Sequence, residues 1–98
     1  MTHRALDAAE PRVAVMLAPA LVRLFPDAER RVEVTASTVD EVMNQLDFRW
    51  PGMRDRLCDS RPGIRRHINV FVNGERATLQ TRIAPGTEVW VLTAISGG

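Results

Sequence analysis

Lysine is missing from this chain: apart from two histidines, all 13 cationic residues are arginines. A guanidinium keeps its proton and is no acyl acceptor, so no side-chain amine is present to receive an isopeptide. Cysteine is almost as scarce. Cys58 alone excludes an internal disulfide and any CxxC pair for metal or redox work, which fits a reducing compartment. His3 and His67 lie far apart with no third ligand at metal spacing, so no metal site is expected. No apolar run approaches the roughly 18 residues of a membrane span, and Met1–Pro11 lacks the apolar centre of a secretory signal. A cytoplasmic protein without a membrane partner is the expectation. A formal net charge of +1 gives no global field for nucleic acid. Arg65-Arg66-His67 reads as a solvated strand entry, because no aromatic residues interleave with it. Neither a Ser/His/Asp order nor a glycine-rich phosphate loop is present, and no catalytic residue is assigned. Ninety-eight residues support one domain with a modest core, too small for an enclosed active site.

What the chain does have is a diglycine, Gly97-Gly98, behind the β-type run Glu88–Leu92. Two residues without Cβ make a thin stalk able to enter a narrow slot in another protein. The α-carboxylate of Gly98 is therefore the expected working group, with Ser96 and Gly97 as its stalk. A free carboxylate ionises at about pH 3.3–3.7 and is a poor electrophile at neutral pH, so chemistry there needs prior activation, most simply adenylylation. That pattern points to a carrier in place of an enzyme.

Periodicity supplies the frame. Residues 1–11 have no period and read as a flexible leader; residues 12–98 read as one domain with a mobile tail over 93–98. Val13, Val15 and Leu17 alternate with Ala14 and Met16 as a strand that Pro19 ends, and a loop is expected through Phe25-Pro26-Asp27. Arg31–Thr35 alternates as a second strand. Thr38-Val39-Asp40-Glu41 has capping-box spacing, and Val39, Val42, Met43 and Leu46 then form one helical stripe that Pro51-Gly52 closes. A short helical turn is expected over Met53–Leu57, followed by turn chemistry at Ser60–Gly63. His67–Val72 alternates again, Asn73-Gly74 suits a type I′ hairpin, Glu75–Leu79 is its return, and Glu88–Leu92 is the last strand. The fold class is α+β: a roll in which one main helix packs on one face of a mixed sheet.

In this order, Val70-Phe71-Val72-Asn73-Gly74-Glu75, Pro85-Gly86-Thr87-Glu88-Val89 and Ser96-Gly97-Gly98 resemble the hairpin, turn and terminus of the ubiquitin-like β-grasp sulfur carriers (MoaD/ThiS-like). Those carriers serve molybdopterin, thiamine and certain cysteine-synthesis pathways. The capped helix sits where that family has its helix. Thr87 and Thr93 depart from the family's usual acidic residue and proline. The resemblance implies an E1-like adenylyltransferase/sulfurtransferase that uses ATP and Mg to adenylylate Gly98. It also implies a sulfur donor that leaves a thiocarboxylate, and a sulfur-accepting biosynthetic enzyme. No intrinsically bound cofactor is implied. The long stretch Met53–Arg66 and the phrase Arg66–Asn73 look most like the cysteine-synthesis carriers.

Strand alternation also offers a partner surface. With Val70, Val72, Val89 and Val91 facing the helix, Phe71, Trp90 and Leu92 face the opposite way, where no second helix is expected. Arg76, just after the Asn-Gly turn, stands where the resembled family often has an apolar residue. Phe71, Arg76, Trp90 and Leu92 are thus the expected partner-binding residues, unless the Ala18–Asp27 segment covers them. Cys58 reads as a small half-buried hydrophobe. Two other functions stay open: a protein modifier that forms amides through Gly98, and a β-grasp interaction module whose diglycine does nothing.

Overall fold

A computed structural model describes residues 12–94. The leader and Ile95, Ser96, Gly97 and Gly98 lie outside the described residues. The described elements are β1 (Arg12–Leu17), α1 (Pro19–Leu24), β2 (Arg31–Thr35), α2 (Val39–Arg49), α3 (Met53–Leu57), β3 (Cys58–Asp59), β4 (Gly63–Ile64), β5 (Ile68–Val72), β6 (Glu75–Arg76) and β7 (Glu88–Thr93).

The five-stranded sheet runs β2-β1-β7-β5-β6, and β3-β4 form a separate two-stranded ribbon. All pairs in the large sheet are antiparallel except β1 with β7, which is parallel. The sheet is therefore mixed. Its last strand in sequence lies at its centre, hydrogen-bonded on both sides.

The helix α2 forms where the capping box predicts. The Thr38 side chain accepts from the Glu41 backbone N–H at 3.2 Å, and a Glu41 carboxylate oxygen accepts from the Ser37 backbone N–H at 2.7 Å. Two further N–H groups of its first turn donate to carbonyls of Thr81 and Leu79, so the loop after β6 completes the cap. Val39, Val42, Met43 and Leu46 are fully buried against Val13, Val15, Val70, Val89 and Val91, and this layer is the core. Trp50 closes the helix, its N–H donating to the Leu46 carbonyl at 2.8 Å.

Several segments differ from the sequence expectation. The stretch after Pro19 is the helix α1, not a loop; proline at its first position is preset for helical φ and lacks only an N–H that would be unpaired there anyway. The β6 return stops at Arg76 instead of Leu79. Thr78 and Thr81 lock a turn, with the Thr78 N–H donating to Thr81 Oγ1 at 2.9 Å, and this sends the chain toward α2. Pairing of the last strand runs one residue further than expected, through Thr93. The β3-β4 ribbon has no counterpart in the sequence reading. At the hairpin, Asn73 and Gly74 have φ of 54° and 79°, as a type I′ turn requires.

Candidate functional site

Register decides which side chains share the open face. Phe71 lies directly opposite Trp90 across β5-β7, Phe71 opposite Arg76 across β5-β6, and Trp90 beside Met16 across β7-β1; Met16 in turn pairs with Arg31 of β2. One row therefore crosses the whole sheet: Arg31, Met16, Trp90, Phe71, Arg76. At about 4.8 Å per strand, its two arginine Cα atoms are about 19 Å apart. The next row toward the hairpin end carries Ala14 between Glu33 and Glu88, and on the other side Leu92 pairs with Asn69.

The expected partner-binding residues thus share one face. Trp90 is 43% exposed, whereas its chain neighbours Val89 and Val91 are fully buried. Phe71 and Leu92 are half-buried, and Leu92 also packs against the rim of the core. The Ala18–Asp27 segment does not cover this row: Leu21, Val22 and Phe25 join the main core, where Phe25 lies against Gly52. Arg76 is exposed and held in place, its Nη2 donating to Asn69 Oδ1 at 2.8 Å. Sequence reasoning missed Met16 and Asn69 as members of this face. Alternation along β1 and β5 placed both on the outer side, but only the register joins them to Trp90 and Arg76.

Elsewhere, charged groups fasten the frame. Arg54 of α3 reaches α2, donating to Asp40 Oδ1 at 2.8 Å and Asn44 Oδ1 at 3.0 Å, and the Asp40 carboxylate raises its pKa further. Asp47 Oδ1 accepts from the N–H groups of Gly52 and Arg54 and so caps the start of α3. Cys58 is buried rather than half-buried, and desolvation pushes its thiol pKa up, against the opposing pull of Arg54. A thiol held in its neutral form is no nucleophile. Among the described residues no group of three or more His, Cys, Asp or Glu is arranged to hold a metal, and no helix is long and apolar enough to cross a membrane.

Residues 16–98 match the family model described as the ThiS family. The chain belongs to the ThiS family. This match takes in the last two residues of β1, every later element and the Gly97-Gly98 end. The sulfur carrier protein CysO of Mycobacterium tuberculosis is 33% identical over 86 residues, covering 82% of this chain and 92% of the relative. The small archaeal modifier protein 1 of Haloferax volcanii is 33% identical over 69 residues, covering 69% of this chain and 79% of the relative. Among solved structures, the Amycolatopsis orientalis BexX/CysO complex contains a chain with a TM-score of 0.76 at 30% identity, covering 88% of this chain and 99% of that one. The ThiS-family chain accordingly has the ubiquitin-like β-grasp fold, as its sequence motifs imply.

Proposed function

We propose that this protein is a sulfur carrier, a co-substrate of other enzymes and not itself a catalyst. The observation that carries this reading is the placement of β7. This strand is clamped between β1 and β5 at the sheet centre, and it brings the chain to Ala94, whose N–H donates to the His67 carbonyl at 2.8 Å. Four residues beyond that fixed point stands Gly98. A rigid base followed by a side-chain-poor end suits delivery of one carboxylate into another protein's active site.

The chemistry belongs to the partners. An E1-like adenylyltransferase/sulfurtransferase holding ATP and Mg brings the Gly98 carboxylate oxygen onto the α-phosphorus; the O–P bond forms as pyrophosphate leaves, giving an acyl-adenylate. Hydrosulfide, free or delivered by a donor, then attacks the carbonyl carbon, and the C–O bond to AMP breaks with its electron pair. The resulting thiocarboxylate is a nucleophile at neutral pH that a sulfur-accepting biosynthetic enzyme consumes. Similarity to the sulfur carrier protein CysO supports the carrier role, and the likeness of Met53–Arg66 and Arg66–Asn73 to the cysteine-synthesis carriers favours that destination over molybdopterin or thiamine.

Similarity to the small archaeal modifier protein 1 supports a second reading, in which an amine takes the activated carboxyl to form an amide. Lacking lysine, this chain has no ε-amine on which to extend such conjugates. Intact mass after incubation with ATP, Mg, sulfide and the activating enzyme separates the two. Oxygen-for-sulfur exchange on the free protein supports the carrier; adducts with larger proteins and no exchange support the modifier.

A further inference from the structure

Arg76 sits at the edge of the open face beside Phe71, and its position is set by Asn69. One of its five N–H donors is used there, and no carboxylate lies within ion-pair distance among the described residues. The carboxylates of the same face, Glu33 and Glu88, belong to the neighbouring row, and Glu33 already has Arg31 at 3.6 Å. Next to Arg76 opens a cleft of about 310 Å³, bordered by Arg65, Arg66, Asn69 and Arg76 with Ile64 and Ala77 among its apolar lining. Arg65 is partly engaged, its Nε donating to the Asp55 carbonyl at 2.8 Å; Arg66 is exposed and makes no ion pair with a described residue. Three guanidinium groups thus border one small cleft contiguous with the aromatic row.

Any protein that covers Phe71 and Trp90 must also desolvate Arg76. That is unfavourable unless the incoming surface supplies an acceptor of opposite charge. A carboxylate matches the planar fork of a guanidinium, and one already oriented by Asn69 loses little rotamer freedom on binding. We infer that the adenylylating enzyme docks on the Trp90-Phe71 row and seats an acidic segment in the adjoining cleft, where Arg76 and Arg66 grip its carboxylates. Arg76 is thereby the residue that sets partner choice on this face. The inference rests on the carrier reading above.

The test uses the full-length chain and an enzyme purified by its carrier-dependent ATP–pyrophosphate exchange, with KM for the carrier and kcat measured separately across a salt series. Arg76→Glu and Arg66→Glu are each expected to raise KM about tenfold or more with kcat within twofold, and to flatten the dependence of KM on salt. Arg76→Lys restores part of the loss, and Asn69→Ala, which keeps the charge but frees it, raises KM by about threefold. Arg66 and Arg76 are exposed and Asn69 is only half-buried, so unchanged thermal midpoints exclude misfolding as the cause. KM values for both glutamate variants within twofold of the unsubstituted chain overturn the docking while leaving the carrier reading intact. Binding of a single-stranded oligonucleotide that Arg66→Glu abolishes, with KM unmoved, overturns it in favour of nucleic acid. No exchange with the unsubstituted chain removes the carrier reading, and the docking falls with it.

Discussion

Leu46 and Phe48 stand two residues apart on α2, and the structure gives them opposite environments: Leu46 is fully buried and Phe48 is 84% exposed. Leu46→Ala deletes three buried carbons, about 2.4 kcal/mol at about 0.8 per methylene, and the cavity left behind brings the expected loss to about 3–4 kcal/mol. For a domain whose total stability is about 5–15 kcal/mol, that is a large share. Phe48→Ala removes a side chain that touches little. Alanine is also the better helix former by about 0.5 kcal/mol, so this larger truncation is expected to leave stability unchanged or slightly increased. Urea unfolding followed by tryptophan fluorescence, to which Trp50 contributes from its buried position at the end of the same helix, reads both variants. The functional consequence is direct, because the stripe containing Leu46 is what commits Val70, Val89 and Val91 inward and leaves Phe71 and Trp90 outward. A loss above about 1 kcal/mol for Phe48→Ala, or below that for Leu46→Ala, would mean that α2 is rotated and the face assignment wrong.

Trp90→Ala is expected to weaken binding of the activating enzyme by about 2 kcal/mol or more, a rise of about thirtyfold in Kd, measured by calorimetry; an unchanged Kd would remove Trp90 from the interface. Glu41 accepts from the backbone N–H and the hydroxyl of Ser37, the backbone bond being the larger cause, and both hold its carboxyl below the usual range. Its contribution is therefore present above its unfolded-state pKa and lost as the pH falls through the lower folded-state value, so Glu41→Gln should flatten the acid limb of the stability–pH curve. A limb of unchanged steepness in thermal melts would contradict the capping box as its source. Cys58, buried with its thiol pKa pushed up, should resist iodoacetamide in the native protein and react only as urea unfolds it; fast alkylation under native conditions would place it at the surface.

Legibility in the sequence followed how local each signal is. The helix α2 could be read because its capping box and its four-residue stripe lie within nine residues, and the β5-β6 hairpin because Asn73-Gly74 alone dictates the turn. The helix α1 could not, since six residues carry less than two turns of periodicity and Pro19 signals an ending as readily as a start. Nor could the two-residue strands of the β3-β4 ribbon. For the candidate site, alternation placed Phe71, Trp90 and Leu92 on one face correctly. The neighbourhood of Trp90 and Met16 depends instead on a parallel pairing of strands from opposite ends of the chain, and no local pattern encodes it. The same holds for the Asn69 bond that orients Arg76 and for Arg54, whose grip on Asp40 spans separate helices.

The Gly98 carboxylate is the proposed reacting group, and moving it by one residue tests that role most directly. Appending Ala after Gly98 shifts the carboxylate by about 3.3–3.6 Å, outside tolerance for attack on an α-phosphorus at about 3–3.5 Å. With intact mass confirming that the Ala remains, carrier-dependent pyrophosphate exchange should vanish while the thermal midpoint stays where it was. Undiminished exchange by the extended chain would contradict the claim and leave only an interaction module.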